Sequence, residues 1–398
     1  MRPNGVSTTT GVVIAILSIA VVALLVVDIA APAPNSNSSC TIASGCEPVP
    51  TLLEFEQVNL TSSVPGIGAH TDPNLIDAWG LSFGDPGRIW VNAQSGYSIV
   101  YNATGAPVMI DDSVEHPGTL VPLAVEVPAD PTGGGPAPLT GLVFDSLHGE
   151  PDAPFLGDAF TFVSEQGVIA GWAPLPDGAE PLNATIRVDN FAAGAVYKGV
   201  ASADTANGWE LYVANFGEGR VDVFNSTYAR VQTVGGFVDP TLPVGYAPFD
   251  VQVLDGQLFV TYAKLSIDDA NDVKGLGNGY VDVFDLNGSF VHRLVSRGQL
   301  NSPWGLALAP SDYGNLSGAL LVGNFGDGHI NAYNATTGTY LGTVAEGGSV
   351  LQIDDLWSLT FGTGNGAGAT DQLYFTAGSS AESQGIFGQL NFVGVNAP

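Results

Sequence analysis

Two stretches of the chain are nearly identical, LYVANFGEGRVDVFN at residues 211–225 and LLVGNFGDGHINAYN at residues 320–334. In both, an apolar run ends at Asn, a glycine-bearing turn follows, and a second apolar run ends at another Asn. This order is typical of a β-hairpin. The same hairpin written twice, far apart in the chain, indicates internal repetition.

The hairpin belongs to a longer unit that occurs six times. Each unit opens on a short strand, and the six are AWGLSF (78–83), LTGLVF (139–144), YKGVAS (197–202), PFDVQV (248–253), PWGLAL (303–308) and LWSLTF (356–361). Second and third apolar strands follow, and most units add a weaker fourth, such as ARVQTV or TYLGTV. A spacing of roughly 50–60 residues is in the range of repeat architectures. Four short strands repeated six times predict an all-β fold, a six-bladed β-propeller.

The ends of the chain predict how the ring closes. The segment LEFEQVNL (53–60) alternates like a strand before the first repeat, whereas the last repeat ends at QLNFV without an outer strand. We therefore expect the N-terminal strand to complete the last blade, and residues 53–398 to form one closed propeller.

The charge balance argues against some partners. The chain has 10 Lys+Arg and 39 Asp+Glu, for a formal net charge of -29. This charge repels phosphate backbones, so nucleic-acid binding is not expected. It suits a solvated acidic surface and divalent cations.

The N-terminal region indicates export. After residues 1–10, a short cytoplasmic or signal-peptide n-region, residues 11–27 read GVVIAILSIAVVALLVV. We interpret residues 11–30 as a hydrophobic helix, preferably an uncleaved signal-anchor that contacts the membrane through residues 11–27, with a cleaved signal peptide as the alternative. Residues 31–52, rich in Pro, Ser and Asn, are expected to be a disordered stalk.

Both cysteines lie in this stalk. Cys40 and Cys46 are close in sequence and, in an exported chain, favour a local disulfide over an intermolecular one. The propeller itself is expected to fold without a disulfide.

Longer motifs give a resemblance to a known family. TDPNLIDAWGLSF, FVDPTLPVGYAPFDVQ, GNGYVDVFDLNG and LNSPWGLALAP are similar to those of a family of exported, mostly bacterial hypothetical propeller proteins, and more distantly to propellers of the NHL type. The resemblance covers residues 57 to 391. It implies the propeller fold and export, and it supplies no catalytic residues.

The ends of the second strands offer a candidate metal site at the channel mouth. Glu165, Asn215 and Asn324 occupy equivalent positions in three repeats. The set is similar in kind to the carboxylate and asparagine ligands of calcium-dependent lactonases with six blades. Oxygen ligands converging on the axis could hold Ca²⁺ and polarise an ester carbonyl. The competing interpretation is that asparagine in N-F-G-[ED]-G is a turn residue.

Other motifs give weaker evidence for a functional site. GLSFG at residues 80–84 matches a nucleophile elbow, but the elbow needs a strand followed by a helix, and Ser82 lies within a predicted strand. The insert DDANDVKGLGNG (268–279) has oxygen ligands without EF-hand spacing. The five histidines show no metal-ligand spacing. Trp79, Trp304 and Trp357 are expected to pack between blades rather than to line a binding face.

Eight N-x-[ST] sequons occur, at Asn37, Asn59, Asn102, Asn183, Asn225, Asn287, Asn315 and Asn334. Asn102, Asn225, Asn287 and Asn334 follow the third strands of their repeats. We predict glycosylation at these exposed turns in a host that has the machinery, whereas the alternative is that the sequences serve only as turns.

Two functions remain open. The first is a noncatalytic binding or structural protein, exported and glycosylated, that is secreted or displayed at a cell or particle surface and contacts an extracellular protein or glycan. The second is a Ca²⁺-dependent lactonase or esterase with its site at the central channel. The first function requires no cofactor, whereas the second requires calcium.

Overall fold

The structure is a computed structural model that describes residues 51–84, 86–112, 118–130, 135–267, 271–364 and 366–396. Within these ranges the helices are three single 3-10 turns, Phe155–Gly157, Phe191–Ala193 and Gly314–Leu316, and strands dominate. The prediction of an all-β fold is therefore confirmed. The hydrophobic segment 11–30, nearly all of the stalk and the Cys40 and Cys46 pair lie outside the described residues. No helix in the described part is long and apolar enough to cross a bilayer.

The first repeat follows two leading strands, β1 (Leu52–Ser62) and β2 (His70–Thr71). Its sheet has the order β3-β4-β5-β8, and β6 and β7 form a separate pair. The strands are β3 (Ala78–Gly84), β4 (Arg88–Ala93), β5 (Tyr97–Tyr101), β6 (Met109–Asp111), β7 (Leu120–Pro122) and β8 (Ala124–Glu126).

The next three repeats each form a four-stranded antiparallel sheet in chain order. The second sheet contains β9 (Leu139–Phe144), β10 (Phe160–Ser164), β11 (Val168–Trp172) and β12 (Thr185–Asp189). The third contains β13 (Tyr197–Thr205), β14 (Gly208–Asn215), β15 (Arg220–Asn225) and β16 (Arg230–Val231). The fourth contains β17 (Tyr246–Leu254), β18 (Gln257–Lys264), β19 (Gly279–Phe284) and β20 (Phe290–Ser296).

The last two repeats share one larger sheet with β1. Their strands are β21 (Pro303–Leu308), β22 (Ala319–Asn324), β23 (Ile330–Asn334), β24 (Tyr340–Glu346), β25 (Ser349–Val350), β26 (Leu356–Phe361), β27 (Leu373–Ser379) and β28 (Gln384–Asn396). The order is β21-β22-β23-β24-β1-β28-β27-β26.

Strand β1 joins these two repeats. It runs antiparallel to β28, the partner expected from the sequence, and its other edge pairs in parallel with β24, which the sequence analysis did not predict. Alternation explains the position of its first half, because Leu53 and Phe55 are both 2% exposed while their neighbours Leu52, Glu54 and Glu56 are more exposed. Phe55 packs on Phe392 with ring centroids 5.1 Å apart.

The sheets pack face to face around a common axis. The first strand of each repeat packs against the first strand of the next, in the order β3, β9, β13, β17, β21 and β26, and β26 packs back against β3. Apolar side chains of neighbouring sheets fill the spaces between them, as with Tyr212 and Val223 of the third sheet against Val251 and Val260 of the fourth. This arrangement is a propeller-like fold.

Candidate functional site

The first strand of every repeat carries a β-bulge at the same place. Each register shift against the second strand lies near the start of the first strand, directly after its first residue in five repeats and after Pro248 in the fourth. The residues that the shifts span include Trp79, Thr140, Lys198, Phe249, Trp304 and Trp357. A bulge re-aims the side chain of its extra residue. Repeated around the axis, the bulges bring most of these side chains together at one end of the first strands.

The bulge aromatics form a buried aromatic cluster with two turn residues. Its aromatic members are Trp79, Phe216, Phe249, Trp304, Phe325 and Trp357. Trp79 stacks on Trp357 with ring centroids 3.3 Å apart, and Phe325 stacks on Trp357 at 3.9 Å. The three tryptophans are at most 2% exposed. They therefore do not line an open face, and they pack together in one cluster from three repeats, whereas the sequence analysis expected them to pack between blades.

Lys198 is the cation among the bulge residues. It is 3% exposed, and its Nζ lies 4.6 Å from the ring centroid of Trp79 and 5.6 Å from that of Phe249. The same ammonium pairs with Glu165, which also accepts a hydrogen bond from Nε2 of Gln94 at 3.0 Å. Burial would raise the pKa of Glu165, but Lys198 and Gln94 outweigh it and hold that pKa below its usual value.

Asn215 is held by its own turn and strand. Its Nδ2 donates to Asp222 at 2.8 Å and to Glu218 at 2.9 Å, and its Oδ1 accepts from the backbone N–H of Val196 and of Glu218. The asparagine therefore joins the end of β14 to strand β15 and to the loop that precedes β13.

Asn324 is held in a similar way. Its Nδ2 donates to the carbonyl of Gln299 at 2.7 Å and to Asp327 at 3.1 Å, and its Oδ1 accepts from the backbone N–H of Asn301. Within the described residues, Glu165, Asn215 and Asn324 form no hydrogen bond with one another. Each of the three side chains has its own hydrogen-bond or ion-pair partners within the protein.

The other candidates can be placed as well. Ser82 lies inside β3, which continues through a turn into β4, so the helix that an elbow needs does not follow. Among the described residues no group of three or more His, Cys, Asp or Glu side chains could hold a metal. Asp268 and Asp269 of the acidic insert lie outside the described residues, as does His116. The calcium sites therefore stay predictions.

Asp77 connects the first repeat to the last. Its Oδ2 accepts from the indole N–H of Trp79 at 2.7 Å, and its Oδ1 accepts from that of Trp357 at 2.8 Å. Burial, with smaller contributions from the carboxylates of Glu382 and Glu165, raises the pKa of Asp77 to about 8, and the two indole donors offset this rise only in part. The Asp77 carboxyl, a titratable group, thus joins Trp79 and Trp357 beside the aromatic cluster.

A cavity of about 400 Å³ borders the aromatic cluster at Phe325. Its charged lining residues are Lys274, Asp327, Asp354, Asp355 and Glu382. Nζ of Lys274 lies 3.8 Å from the ring centroid of Phe325 and 2.9 Å from Oδ1 of Asp355. Partial burial, followed by the neighbouring Asp355 carboxylate, raises the pKa of Glu382. The cavity thus holds an ammonium against an aromatic ring, in an excess of carboxylates.

Sequence reasoning missed Lys198, Asp77 and Lys274. The signal for Lys198 was available, because aligning the repeats places a lysine in the column otherwise filled mostly by aromatic residues. Asp77 and Lys274 had no such signal, since their partners come from other repeats and are brought close only by the fold.

Three of the four predicted glycosylation turns have a common geometry. Oδ1 of Asn225 accepts from the backbone N–H groups of Thr227 and Ala229 and from the Thr227 hydroxyl, and Asn102 and Asn334 accept similarly from their own turns. Asn287 differs, because Asp285 is the acceptor in that turn. The turn therefore requires the side-chain oxygen, which leaves the asparagine amide nitrogen for modification.

Related sequences come from a virus. The chain aligns with uncharacterized protein L690 of Acanthamoeba polyphaga mimivirus at 31% identity over 379 residues, 90% of this chain and 92% of that protein. Uncharacterized protein R648 of the same virus aligns at 30% identity over 342 residues, 83% of this chain and 78% of that protein. No protein-family model matches the chain.

One solved structure supports the fold, and a second is reported for comparison. The soluble aldose sugar dehydrogenase from Escherichia coli in the apo-form aligns with a TM-score of 0.50 and 9% identity, over 85% of this chain and 100% of that chain. Virginiamycin B lyase from Staphylococcus aureus aligns with a TM-score of 0.45 and 11% identity, over 85% and 99%. At this identity the likeness concerns the fold alone. The resemblance to propeller proteins is confirmed at that level, and its bacterial and exported character stay predictions.

Proposed function

The chain belongs to the family of the mimivirus proteins L690 and R648, and we propose that it is an exported six-bladed β-propeller with a noncatalytic binding or structural role at a cell or particle surface. Residues 11–30 would anchor it, residues 31–52 would form the stalk, and the turn sequons would carry glycans. Its partner would be an extracellular protein or glycan.

The six-bladed ring is supported by how the sheets meet. The first strands contact one another in cyclic order, including the last against the first, and β1 supplies an outer strand to the final sheet. A ring closed by its N-terminal strand leaves only short edges, which suits a body without disulfides.

The environment of Lys198 carries the noncatalytic proposal. Its buried ammonium supplies the positive charge beside Glu165, where the lactonase hypothesis places calcium. A second cation at that position would meet electrostatic repulsion from the tethered ammonium. The asparagine oxygens of the hypothetical site are engaged by backbone N–H groups, so calcium ligation would break existing hydrogen bonds.

A lactone and ester panel separates the two functions. The full chain is assayed with millimolar calcium and again after chelation, and a Glu165→Gln variant serves as the matched control. We expect no hydrolysis above the buffer rate under any condition. Calcium-dependent turnover that is lost on chelation and in Glu165→Gln would overturn the noncatalytic proposal.

A further inference from the structure

Lys274 covers the aromatic wall of the 400 Å³ cavity. One face of Phe325 stacks on Trp357, and the Lys274 ammonium lies over the ring 3.8 Å from its centroid. An ammonium placed on an aromatic face beside a carboxylate is the arrangement by which proteins recognise organic cations. The Lys274 side chain is 45% exposed. It can therefore leave the ring without disturbing the buried cluster.

The charge in this cavity is unbalanced. One lysine faces the carboxylates of Asp327, Asp354, Asp355 and Glu382, and its ion pair is with Asp355. Partial burial is the main cause of the raised pKa of Glu382, and the Asp355 carboxylate adds to it, which reflects the cost of placing like charges together. An additional cation in the cavity would relieve that cost.

The volume also fits an occupant larger than the lysine ammonium. Ligand cavities commonly measure roughly 300–1,000 Å³, and this one lies toward the lower end of that range. The polar side chains of Gln352 and Ser380 complete the wall. Such a cavity accepts a single amine-bearing side chain or a short amine.

We propose that this cavity binds an organic ammonium group, carried by a lysine side chain of a partner protein or by a free polyamine, and that Lys274 is its internal competitor. The inference rests on the proposed binding function. The ligand ammonium displaces Lys274 from Phe325 and pairs with Asp355 and Glu382. A tethered competitor acts at an effective concentration on the order of millimolar, so its removal strengthens binding.

Calorimetric titration of the full chain tests this mechanism. The probes are Nα-acetyl-lysine amide, its uncharged isostere Nα-acetyl-norleucine amide, spermidine and Ca²⁺. We expect Lys274→Met to bind the lysine probe at least roughly tenfold more tightly than the unsubstituted chain, as expected when a tethered competitor is removed. Lys264→Met, which removes an exposed lysine that does not line the cavity, should leave the affinity unchanged.

A double variant, Lys274→Met with Phe325→Leu, has the same net charge as Lys274→Met but lacks the aromatic ring. Comparing the two separates binding to the ring from attraction to the overall negative charge. We expect the gain in affinity to be lost in this double variant. If Lys274→Met fails to fold, Lys274→Gln takes its place. Stronger binding of the lysine probe than of spermidine identifies a protein side chain as the source of the ammonium, and the reverse identifies a free polyamine.

Three results would overturn the inference: equal affinity in the unsubstituted chain and Lys274→Met, equal binding of the norleucine amide, or a site that takes Ca²⁺ and neither amine. These failures are distinct from failure of the proposed function. If the chain binds no amine and shows no calcium-dependent hydrolysis, the noncatalytic proposal stands and the ligand is a different one. If it shows calcium-dependent hydrolysis, the noncatalytic binding function on which this inference rests is wrong.

Discussion

Trp357 donates its indole N–H to Oδ1 of Asp77 at 2.8 Å, across 280 positions of the chain. The other oxygen of Asp77 accepts from Trp79, whose ring stacks on that of Trp357. One buried carboxyl thus links the first repeat to the last at the aromatic cluster. A pH dependence of stability follows from this link.

The first prediction concerns pH. The pKa of Asp77 is about 8 in the folded chain against an ordinary value of 3.8. Between these values the folded state keeps a proton that the unfolded state has released, so the contribution of Asp77 to the free energy of unfolding falls as pH rises from about 4 to about 8. We expect Asp77→Asn to remove this slope, which is at most about 1.4 kcal/mol per pH unit.

Urea unfolding of both proteins at several pH values between 4 and 9 measures the effect. The difference between the two curves isolates Asp77 from the other carboxylates. Asp152→Asn, at an exposed position, is the control and should run parallel to the unsubstituted chain. Parallel curves for Asp77→Asn would show that Asp77 does not hold its proton.

The second prediction concerns ring closure. Deleting residues 51–60 removes most of β1, which pairs with β28 on one edge and β24 on the other. It also exposes the pockets of Leu53 and Phe55. We expect the melting temperature to fall by roughly 10 °C or more, since this loss amounts to several kcal/mol.

Deleting residues 31–40 from the predicted stalk removes the same length and should leave the melting temperature unchanged. Differential scanning calorimetry compares the three proteins. If the two deletions melt alike, β1 does not close the ring.

The third prediction concerns the first strands near the axis. Asp250 occupies the position that is glycine in most repeats, and a Cβ on the neighbouring Gly199 would lie 2.7 Å from the Cα of Asp250 and closer still to its carboxylate. We expect Gly199→Ala to cost about 1–3 kcal/mol of unfolding free energy through overpacking.

Replacing Asp250 by glycine in the same chain should recover part of this loss, because the carboxylate is removed. Gly149→Ala, where a Cβ meets nothing within 4 Å, should be close to neutral. Denaturant midpoints give all the values. Equal costs at Gly199 and Gly149 would contradict the close packing of these strands.

The fourth prediction separates turn from glycan at Asn225. Asn225→Asp keeps the Oδ1 acceptor that the Thr227 and Ala229 N–H groups use, as Asp285 does in the next repeat, but destroys the sequon. We expect unchanged stability of the unglycosylated chain, whereas Asn225→Ala costs about 1 kcal/mol, as loss of such an acceptor does. In native material, intact mass before and after glycosidase treatment should show one glycan fewer in Asn225→Asp. No mass loss in either protein would exclude the glycan.

The sequence predicted the repeated strands well because alternation and turn glycines are local signals. The strands 139–144, 303–308 and 356–361 have the predicted bounds. The outer strand ARVQTV shrinks to Arg230–Val231, since a partly exposed edge is weakly specified by its own residues. The parallel pairing of β1 with β24 has no local signature at all, because it depends on how two repeats meet.

The candidate site was harder to predict than the fold. The sequence gives the residue type of Glu165, which suggests a metal ligand, but not its partner, and the fold places the ammonium of Lys198 against it. The position of Lys198 depends on a bulge between Tyr197 and Val200, and a bulge is defined by the pairing of two strands, which the sequence of one strand does not show.

Equilibrium dialysis of calcium against the full chain tests the central claim most directly, with Lys198→Met as the companion variant. The account predicts no stoichiometric calcium binding at micromolar concentrations in the unsubstituted chain, because Lys198 already balances Glu165. Removing that ammonium should create or strengthen calcium binding at this position. One calcium bound per chain at micromolar concentration, abolished by Glu165→Gln and indifferent to Lys198→Met, would contradict the noncatalytic account and restore the calcium site.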